Sequence, residues 1–406
     1  VALTRSEVQA IVGELRKSLD PNASTLGEIP PFNVALAYKL FTLLLKPVEA
    51  GWKGAKSILV VAHGALAQLP LGLLVTTPTS LEPERDGQTP FSRYKKVPWL
   101  IRDVAIDELP SVASLTALRS SQTSTAGAKP FIGFGDPWFN AKEAAQGEAG
   151  VAGTQTAALQ SRGGAGKLAT RGVPLHLRSV PKTETVDRAE LALLPRLPET
   201  AEEVRQVAIA LKADPRSDVI LGARANEHIV RTMKLDDRRV VMFATHGLIP
   251  GDLDGLTEPA LALSSPEVAG SGGDGLLTTS KILDLKLNAE WVVLSACNTA
   301  AGNGAGAEAV SGLGLAFFYA GTRAVLVSNW PVETTSARAL TTALFHHEAE
   351  SPGISRAEAL RQSMLELIDS PGFADPSQER PLFSYAHPIF WAPFSLVGDG
   401  GRGRGA

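Results

Sequence analysis

Two runs of apolar residues without polar alternation dominate the hydrophobic pattern of the second half of the chain. Val240–Thr245 is followed by His246 and Gly247, and Trp291–Ala296 is followed by Cys297. Runs of this length, rich in Val, Leu and aromatic residues, predict central strands of a parallel sheet that are buried on both faces. Each predicted strand therefore ends at one chemically reactive residue.

Shorter patterns predict the flanking elements. Thr4 with Glu7 has the form of a capping box and predicts a helix running to about Asp20. The remaining segments are predicted from apolar periodicity and breakers. The predicted helices include 33–45, 201–211, 334–347 and 354–367, and the predicted strands include 57–62, 130–135, 219–221, 260–263, 323–328 and 389–397.

The carboxyl ends of neighbouring parallel strands form the usual ligand crevice of an open α/β sheet. If the two central strands are neighbours, His246 lies beside Cys297, the only cysteine of the chain. A thiolate is the nucleophile of cysteine catalysis, and an imidazole nearby lowers the thiol pKa or protonates the leaving group. The Gly247 and Cys297 amides are placed to stabilise an oxyanion. Taken singly, each residue has a structural interpretation, as a small buried hydrophobe or a satisfied polar residue; together they favour catalysis.

The spacing and flanks of these residues carry a family resemblance. Cys297 follows His246 by 51 residues (297 − 246), and the corresponding separation in caspases is about 50. The caspase flanks are not kept, apart from Ala296 before the cysteine. The sequence instead resembles the CHAT domain, a caspase-like peptidase domain often found beside tetratricopeptide repeats. The resembling segments are Phe243–Gly247, Gly275–Thr278, Val293–Thr299, Val327–Val332, Ala359–Gln362 and Ala386–Phe394.

This resemblance implies a fold and an activity. The implied fold is α/β, with a caspase-like, open, mostly parallel sheet flanked by helices and preceded by a smaller pseudo-peptidase-like α/β lobe. The implied activity is that of a cysteine endopeptidase acting on a protein substrate and controlled by a tetratricopeptide-repeat region or an activating partner. A role in bacterial defence fits the family. The alternative from another class is a signalling or interaction module with a vestigial dyad.

Composition suggests how the chain is divided. Half of the residues in 141–172, sixteen of 32, are Gly or Ala, which predicts a mobile linker or insertion. We therefore expect N-terminal helices and a non-catalytic lobe in 1–140, a linker in 141–196, a catalytic lobe in 197–398 and a disordered Gly/Arg-rich tail in 399–406. Self-processing within the linker, after Arg162, Lys167 or Arg171, is a hypothesis.

Substrate specificity is expected to come from loops beyond the strand ends. Asp252 and Asp254 follow the histidine, and Trp330 and Glu333 follow the strand after Cys297. An acidic pocket would favour a basic P1 side chain through charge-assisted hydrogen bonds. Turn-forming or solvated roles for the two aspartates remain equally open.

Other candidate groups are interpreted as structural. His63 follows a predicted strand without a cysteine partner in its half of the chain. His346 and His347 are adjacent on a predicted helix, where neighbouring side chains diverge, and His387 belongs to a motif that closes the sheet. The loop 302–306 is glycine-rich but lacks the Lys-Ser/Thr ending of a phosphate-binding loop. We expect no cofactor and no metal site.

Composition limits the remaining functional classes. The 406 residues are 44% apolar and 20% charged, with a net charge of −3, as in globular proteins without a nucleic-acid-binding surface. A single cysteine excludes an internal disulfide framework and suits a reducing cytoplasm. No apolar run reaches a membrane-spanning length and no signal peptide is recognisable. Because the chain begins at Val1, we expect it to be a piece of a longer protein.

Overall fold

A computed structural model describes residues 4–85, 87–120, 127–152, 172–178, 191–253, 255–296, 312–374 and 380–401. Several sequence predictions lie outside these residues. They are the predictions on Cys297, on Asp254, on the 302–306 loop and on Arg162, Lys167 and Arg171.

Strands of the described residues form two sheets. In chain order they are β1 (Ser57–Val60), β2 (Ala105–Glu108), β3 (Lys129–Gly135), β4 (Val219–Leu221), β5 (Arg238–Ala244), β6 (Gly247–Leu248), β7 (Ala260–Ala262), β8 (Leu276–Thr278), β9 (Trp291–Ser295), β10 (Ala324–Ser328) and β11 (Phe394–Gly398). The large sheet has the order β1-β2-β11-β10-β9-β5-β3-β4. All its neighbours are parallel except β10 and β11. The small sheet, β6-β7-β8, is antiparallel.

Helices cover both faces of the large sheet. They are α1 (Arg5–Arg16), α2 (Val34–Leu44), α3 (Glu49–Trp52), α4 (Leu100–Asp103), α5 (Val112–Ser120), α6 (Ala141–Ala152), α7 (Glu199–Ala210), α8 (Glu227–Thr232), α9 (Pro266–Ala269), α10 (Thr279–Leu283), α11 (Gly312–Ala320), α12 (Thr334–Glu350), α13 (Arg356–Asp369) and α14 (Pro388–Trp391). The resulting architecture confirms the predicted open, mostly parallel α/β sheet.

The central strands are apolar on both faces because each face packs against its own core. Along β5, Val240 and Met242 belong to the core shared with α1, α2, α7, α12 and α13, whereas Val241 and Phe243 belong to the core shared with α8, α10 and α11. This explains the absence of polar alternation in these runs.

The two predicted central strands are neighbours, as the catalytic interpretation required. β5 pairs with β9 in the register Ala244 to Ser295, and with β3 in the register Gly135 to Ala244. The carboxyl ends of three adjacent strands therefore lie in one row. His246 lies two residues beyond this row on its strand.

The strands expected in a separate first lobe extend the same sheet. β1 and β2 join it through β11, and β3 lies between β4 and β5. β1 is an edge strand of alternating exposure rather than the buried strand predicted, and Leu59 on it is 46% exposed. In the structure, the residues of 1–140 and 197–398 contribute to one continuous core, so the division into lobes stays a prediction about folding units.

Three further segments differ from the sequence expectations. Residues 388–391 form α14 instead of the start of the last strand, because Pro388 occupies its first turn and His387 caps it. The Ala-rich segment 141–152 forms a helix, in keeping with the high helix propensity of alanine. At the expected tail, the Asp399 carbonyl accepts from Arg356 and the Gly400 amide donates to Asp107, so residues 399–401 are fixed to the core.

Candidate active site

The backbone on both sides of His246 is clamped by the small sheet. The Thr245 hydroxyl donates to the Ala262 carbonyl at 2.5 Å, and the Ala262 amide donates to the His246 carbonyl at 2.9 Å. The chain therefore passes from the large sheet into β6 at this histidine. The result is a rigid support for the imidazole at the end of β5.

The His246 ring is held by a backbone carbonyl. Its Nε2 lies 2.7 Å from the Pro195 oxygen, and a carbonyl can only accept, so Nε2 carries the proton. Nδ1 is then the basic nitrogen of the neutral ring, and it is buried without a hydrogen-bond partner among the described residues. Burial, with a smaller contribution from the positive charge of Arg178, lowers the pKa of His246 to about 4, against the opposing hydrogen bond to Pro195. The imidazole is therefore neutral at physiological pH.

Gly247 presents its amide away from the small sheet. The bonded pair His246–Ala262 lies next to the register pair Gly247–Leu261. In an antiparallel ladder, bonded and non-bonded pairs alternate. The Gly247 N–H therefore points away from β7, which is the orientation that an oxyanion donor at this position requires.

A buried polar cluster holds the carboxyl end of β9. The Arg178 guanidinium donates to the Ser295 carbonyl at 3.0 Å, to the Ser295 hydroxyl at 2.7 Å and to the Glu203 carboxylate at 2.5 Å. The Ser295 hydroxyl and the Thr341 hydroxyl both donate to the other Glu203 oxygen. Arg178, Glu203 and Ser295 are fully buried, so this cluster is a closed ion pair directly before the predicted nucleophile.

An acid at the end of β3 faces the same edge of the sheet. Asp136 adopts a left-handed backbone conformation with φ of 47°. Arg196 binds both of its carboxylate oxygens at 2.7 Å, in the two-pronged geometry that suits a guanidinium. Burial raises the Asp136 pKa, while the Arg196 bonds and charge lower it. Residues 195 and 196 thus contact the histidine and this acid in succession.

Three of the predicted specificity residues are described, and each makes a local structural contact. Trp330 is buried and donates from Nε1 to the Ile389 carbonyl. Glu333 is the N-cap of α12, accepting from the Thr335 and Ser336 amides. Asp252 accepts from the Ile249 amide at 2.8 Å in a turn. Asp254 lies outside the described residues, and the substrate roles of all four stay predictions.

The histidines interpreted as structural lie away from this edge. His387 is buried, donates from Nε2 to the Pro30 carbonyl and accepts at Nδ1 from the Ile389 amide. His63 is exposed, and His346 and His347 lie on α12, where His347 approaches Glu366 at 3.3 Å. Within the described ranges, no group of three or more His, Cys, Asp or Glu side chains could hold a metal ion. In the same ranges, no helix has the length and apolarity to cross a membrane.

Comparison with known families decides the identity of this scaffold. The family model described as CHAT domain matches residues 34–399. The chain belongs to the CHAT domain family. The strand order and the two-sided helical layers described above are accordingly those of a caspase-like α/β fold.

Individual relatives of this CHAT domain are distant. Human tetratricopeptide repeat protein 28 is 32% identical over 127 residues, which are 30% of this chain and 4% of that protein. Among solved structures, the Saccharomyces cerevisiae separase–securin complex matches 75% of this chain and 14% of that chain, with 12% identity and a TM-score of 0.39. The Arg-specific cysteine proteinase gingipain R matches 98% and 75%, with 8% identity and a TM-score of 0.42.

Sequence reasoning missed three features of this CHAT domain site. Asp136 could have been predicted, because this acid, like His246, directly follows an apolar strand run. Pro195 and Arg178 carried no sequence signal: each acts across a long separation, 51 residues to His246 and 117 to Ser295. Both lie in the segment that composition predicted to be a linker.

Proposed function

We propose that this CHAT domain is a cysteine endopeptidase in which His246 and Cys297 form the catalytic dyad. The observation that carries the proposal is the His246 ring. The Pro195 carbonyl accepts a hydrogen bond from the Nε2–H, which leaves Nδ1 as a buried base without a partner among the described residues. His246 lies two residues beyond β5, and the only cysteine of the sequence lies two residues beyond β9, the neighbour of β5. A neutral imidazole of this kind is the base that a thiol nucleophile needs.

The proposed reaction follows from this protonation state. Nδ1 of His246 takes the thiol proton, and the Cys297 sulfur bonds to the scissile carbonyl carbon while the Gly247 and Cys297 amides stabilise the oxyanion. The imidazolium then gives its proton to the amine as the C–N bond breaks. Water attacks the thioester, releases the carboxyl product and returns the proton to the thiol. In the enclosed state burial lowers the His246 pKa to about 4, so the ring enters this sequence in its neutral form.

A basic P1 side chain is the preference that the local charges favour. Asp136 lies one residue beyond the row of strand ends and already binds a guanidinium through both oxygens. A substrate arginine or lysine would replace Arg196 at this carboxylate. The predicted contributions of Asp252, Asp254, Trp330 and Glu333 are part of the same proposal, with Asp252 the nearest of them in sequence to His246.

Access to the dyad requires a change of state. His246 is fully buried, and the Pro195 carbonyl is hydrogen-bonded to its Nε2. A protein substrate therefore reaches the imidazole only after the neighbouring segment moves. We infer that a repeat region or an activating partner supplies that movement.

The deciding experiment is peptide cleavage. Fluorogenic peptides with Arg, Lys, Leu or Asp at P1 would be offered to the wild-type chain and to Cys297→Ala, with and without candidate repeat-region partners. We expect cleavage of the basic peptides by wild type alone. Cleavage that persists in Cys297→Ala would contradict the dyad, and equal rates for all P1 residues would contradict the preference.

The second candidate function is a non-catalytic interaction module. The enclosed state of the His246 ring favours it, because a residue that never meets substrate can keep its place for packing alone. A module of this kind would bind a partner without turnover. Absence of cleavage across the peptide panel and of new N-termini in a proteome, together with retained partner binding by Cys297→Ala, would favour this function over the peptidase.

A further inference from the structure

Residues 172–178, here called the strap, run between the N-terminal segment at residues 24–26 and the loop that follows β10. On one side the Val173 carbonyl accepts from the Leu26 amide, and the Leu175 amide donates to the Ser24 carbonyl. On the other side the Arg178 amide donates to Val332, and the His176 carbonyl accepts from Thr334. The strap is therefore hydrogen-bonded both to the N-terminal segment and to the loop that follows β10.

Arg178 is the residue by which the strap enters the interior. Its guanidinium bonds Ser295 through two acceptors and Glu203 through a third contact, and its side chain is fully buried. Burial of a charged pair is costly unless the geometry satisfies nearly all of its polar atoms. A well-packed apolar side chain would hold the strap as firmly, so the ion pair calls for another reason.

We propose that Arg178 is a positioning residue for the nucleophile-bearing end of β9. By fixing the Ser295 carbonyl and hydroxyl together, it sets the direction of the chain that continues to Cys297. Its charge also acts on His246, so docking of the strap adjusts both members of the dyad. The inference deepens the proposed function, and it makes strap docking a condition for activity.

The geometry separates this role from simple packing. If Arg178 served packing alone, its replacement would reduce only the stability of the protein. If Arg178 positions the nucleophile, its replacement changes the reactivity of the thiol in a protein that is still folded. A small misplacement of a reacting group is enough to reduce a rate by on the order of 100-fold. The single cysteine of the chain allows that reactivity to be read directly by alkylation.

The test compares Arg178→Met with Arg356→Met in the full chain. Arg356 is a matched control, since it is buried, bonds Glu290 directly before the same strand and bonds the Asp399 carbonyl directly after β11. Melting temperature, the iodoacetamide alkylation rate across pH, and kcat and KM for a basic-P1 peptide are measured for both. If positioning is right, Arg178→Met lowers kcat by about 10–100-fold with KM changed less and moves the alkylation profile to higher pH. Arg356→Met leaves both readouts at the wild-type value after correction for folded fraction.

The outcomes are distinct. Equal alkylation profiles for folded Arg178→Met and Arg356→Met would overturn the positioning role. If Arg178→Met does not fold, Ser295→Ala, which removes only one hydroxyl of the cluster, is expected to move the profile in the same direction, and an unchanged profile there overturns the proposal. Should wild type cleave no peptide, the proposed function fails, while the alkylation comparison still decides the role of Arg178.

Discussion

The two fully buried histidines of the chain bond a carbonyl through the same ring nitrogen and differ at the other one. His246 and His387 each donate from Nε2 to a proline carbonyl, at 2.7 and 3.2 Å. Burial lowers their pKa values, to about 4 and about 3. The Nδ1 of His387 accepts from the Ile389 amide, whereas the Nδ1 of His246 has no partner among the described residues.

The proposed reactive role of His246 depends on that difference. Both ring nitrogens of His387 are hydrogen-bonded within the protein, so neither is available to a substrate. Its ring packs edge-on against Tyr94, with 5.0 Å between the ring centroids. A buried acceptor without a donor is costly. Burial and a depressed pKa are common to both histidines, and under the proposed function it is the unpartnered Nδ1 of His246 that receives the thiol proton.

The largest expected effect is a difference in activity between variants of the two histidines. His246→Ala should lower kcat for the basic-P1 peptide by on the order of 10²–10⁴-fold, because the thiol loses its base. His387→Ala, scaled to its folded fraction, should keep kcat near wild type. Steady-state kinetics of both variants check this, and a comparable kcat loss in folded His387→Ala would mean that the nitrogens are not distinguished by their partners.

The next effect concerns stability and its dependence on pH. His387→Phe leaves the Pro30 carbonyl and the Ile389 amide without their hydrogen-bond partner. The free energy of unfolding should therefore fall by about 2–4 kcal/mol near neutral pH. Because the folded pKa is depressed to about 3 from 6.5, the wild-type contribution is complete above pH 6.5 and is lost as pH falls. The deficit of the variant should therefore shrink by about 2 kcal/mol between pH 6.5 and 5.

Urea unfolding over that pH interval measures the deficit, and Asp107→Asn is a control of opposite sign. Burial raises the Asp107 pKa to about 8, so folding of wild type takes up a proton that the unfolded chain has lost above pH ~4. The free energy of unfolding of the asparagine variant should therefore rise relative to that of wild type as pH rises from about 4 to about 8. A His387→Phe deficit that does not change with pH would show that the folded pKa is not depressed.

Local patterns in the sequence were enough to predict the central sheet. The uninterrupted apolar runs predicted β5 and β9, the capping box at Thr4 predicted the start of α1, and apolar periodicity predicted a helix in 33–45, all of which the structure confirms. These features depend on neighbours a few residues away, where propensity and periodicity operate. The adjacency of the two strands was a condition of the catalytic interpretation, and the pairing of β5 with β9 meets it.

Features that depend on distant partners were not predictable in this way. The same pattern gave a strand at 389–397, where Pro388 starts a helix and β11 begins only at Phe394. Composition indicated a linker around Arg178 and Pro195, yet both residues contact the candidate site across the fold. A buried ion pair or a carbonyl on a ring is decided by tertiary packing, which no local window contains.

The smallest expected effect sharpens the comparison through the segment that covers His246. Arg196 neutralises Asp136 while the preceding carbonyl holds the ring, so Arg196→Ala frees an acid for a substrate cation. The KM for Arg-P1 peptides should fall by roughly 3–10-fold, about 1 kcal/mol, with little change for Leu-P1 peptides. The measurement is repeated at rising pH, because burial raises the Asp136 pKa and the gain requires the ionised carboxylate.

Arg205→Ala, which removes a more exposed arginine from α7, is the matched control and should leave both KM values unchanged. Asp136→Asn should abolish the gain when combined with Arg196→Ala, because the amide offers no charge to a guanidinium. A fall in KM that is the same for Leu-P1 and Arg-P1 peptides would mean that Arg196 restricts entry to the site without competing for its acid. The His246 ring would then be enclosed by the segment as a whole, and the preference for basic side chains would need another source than Asp136.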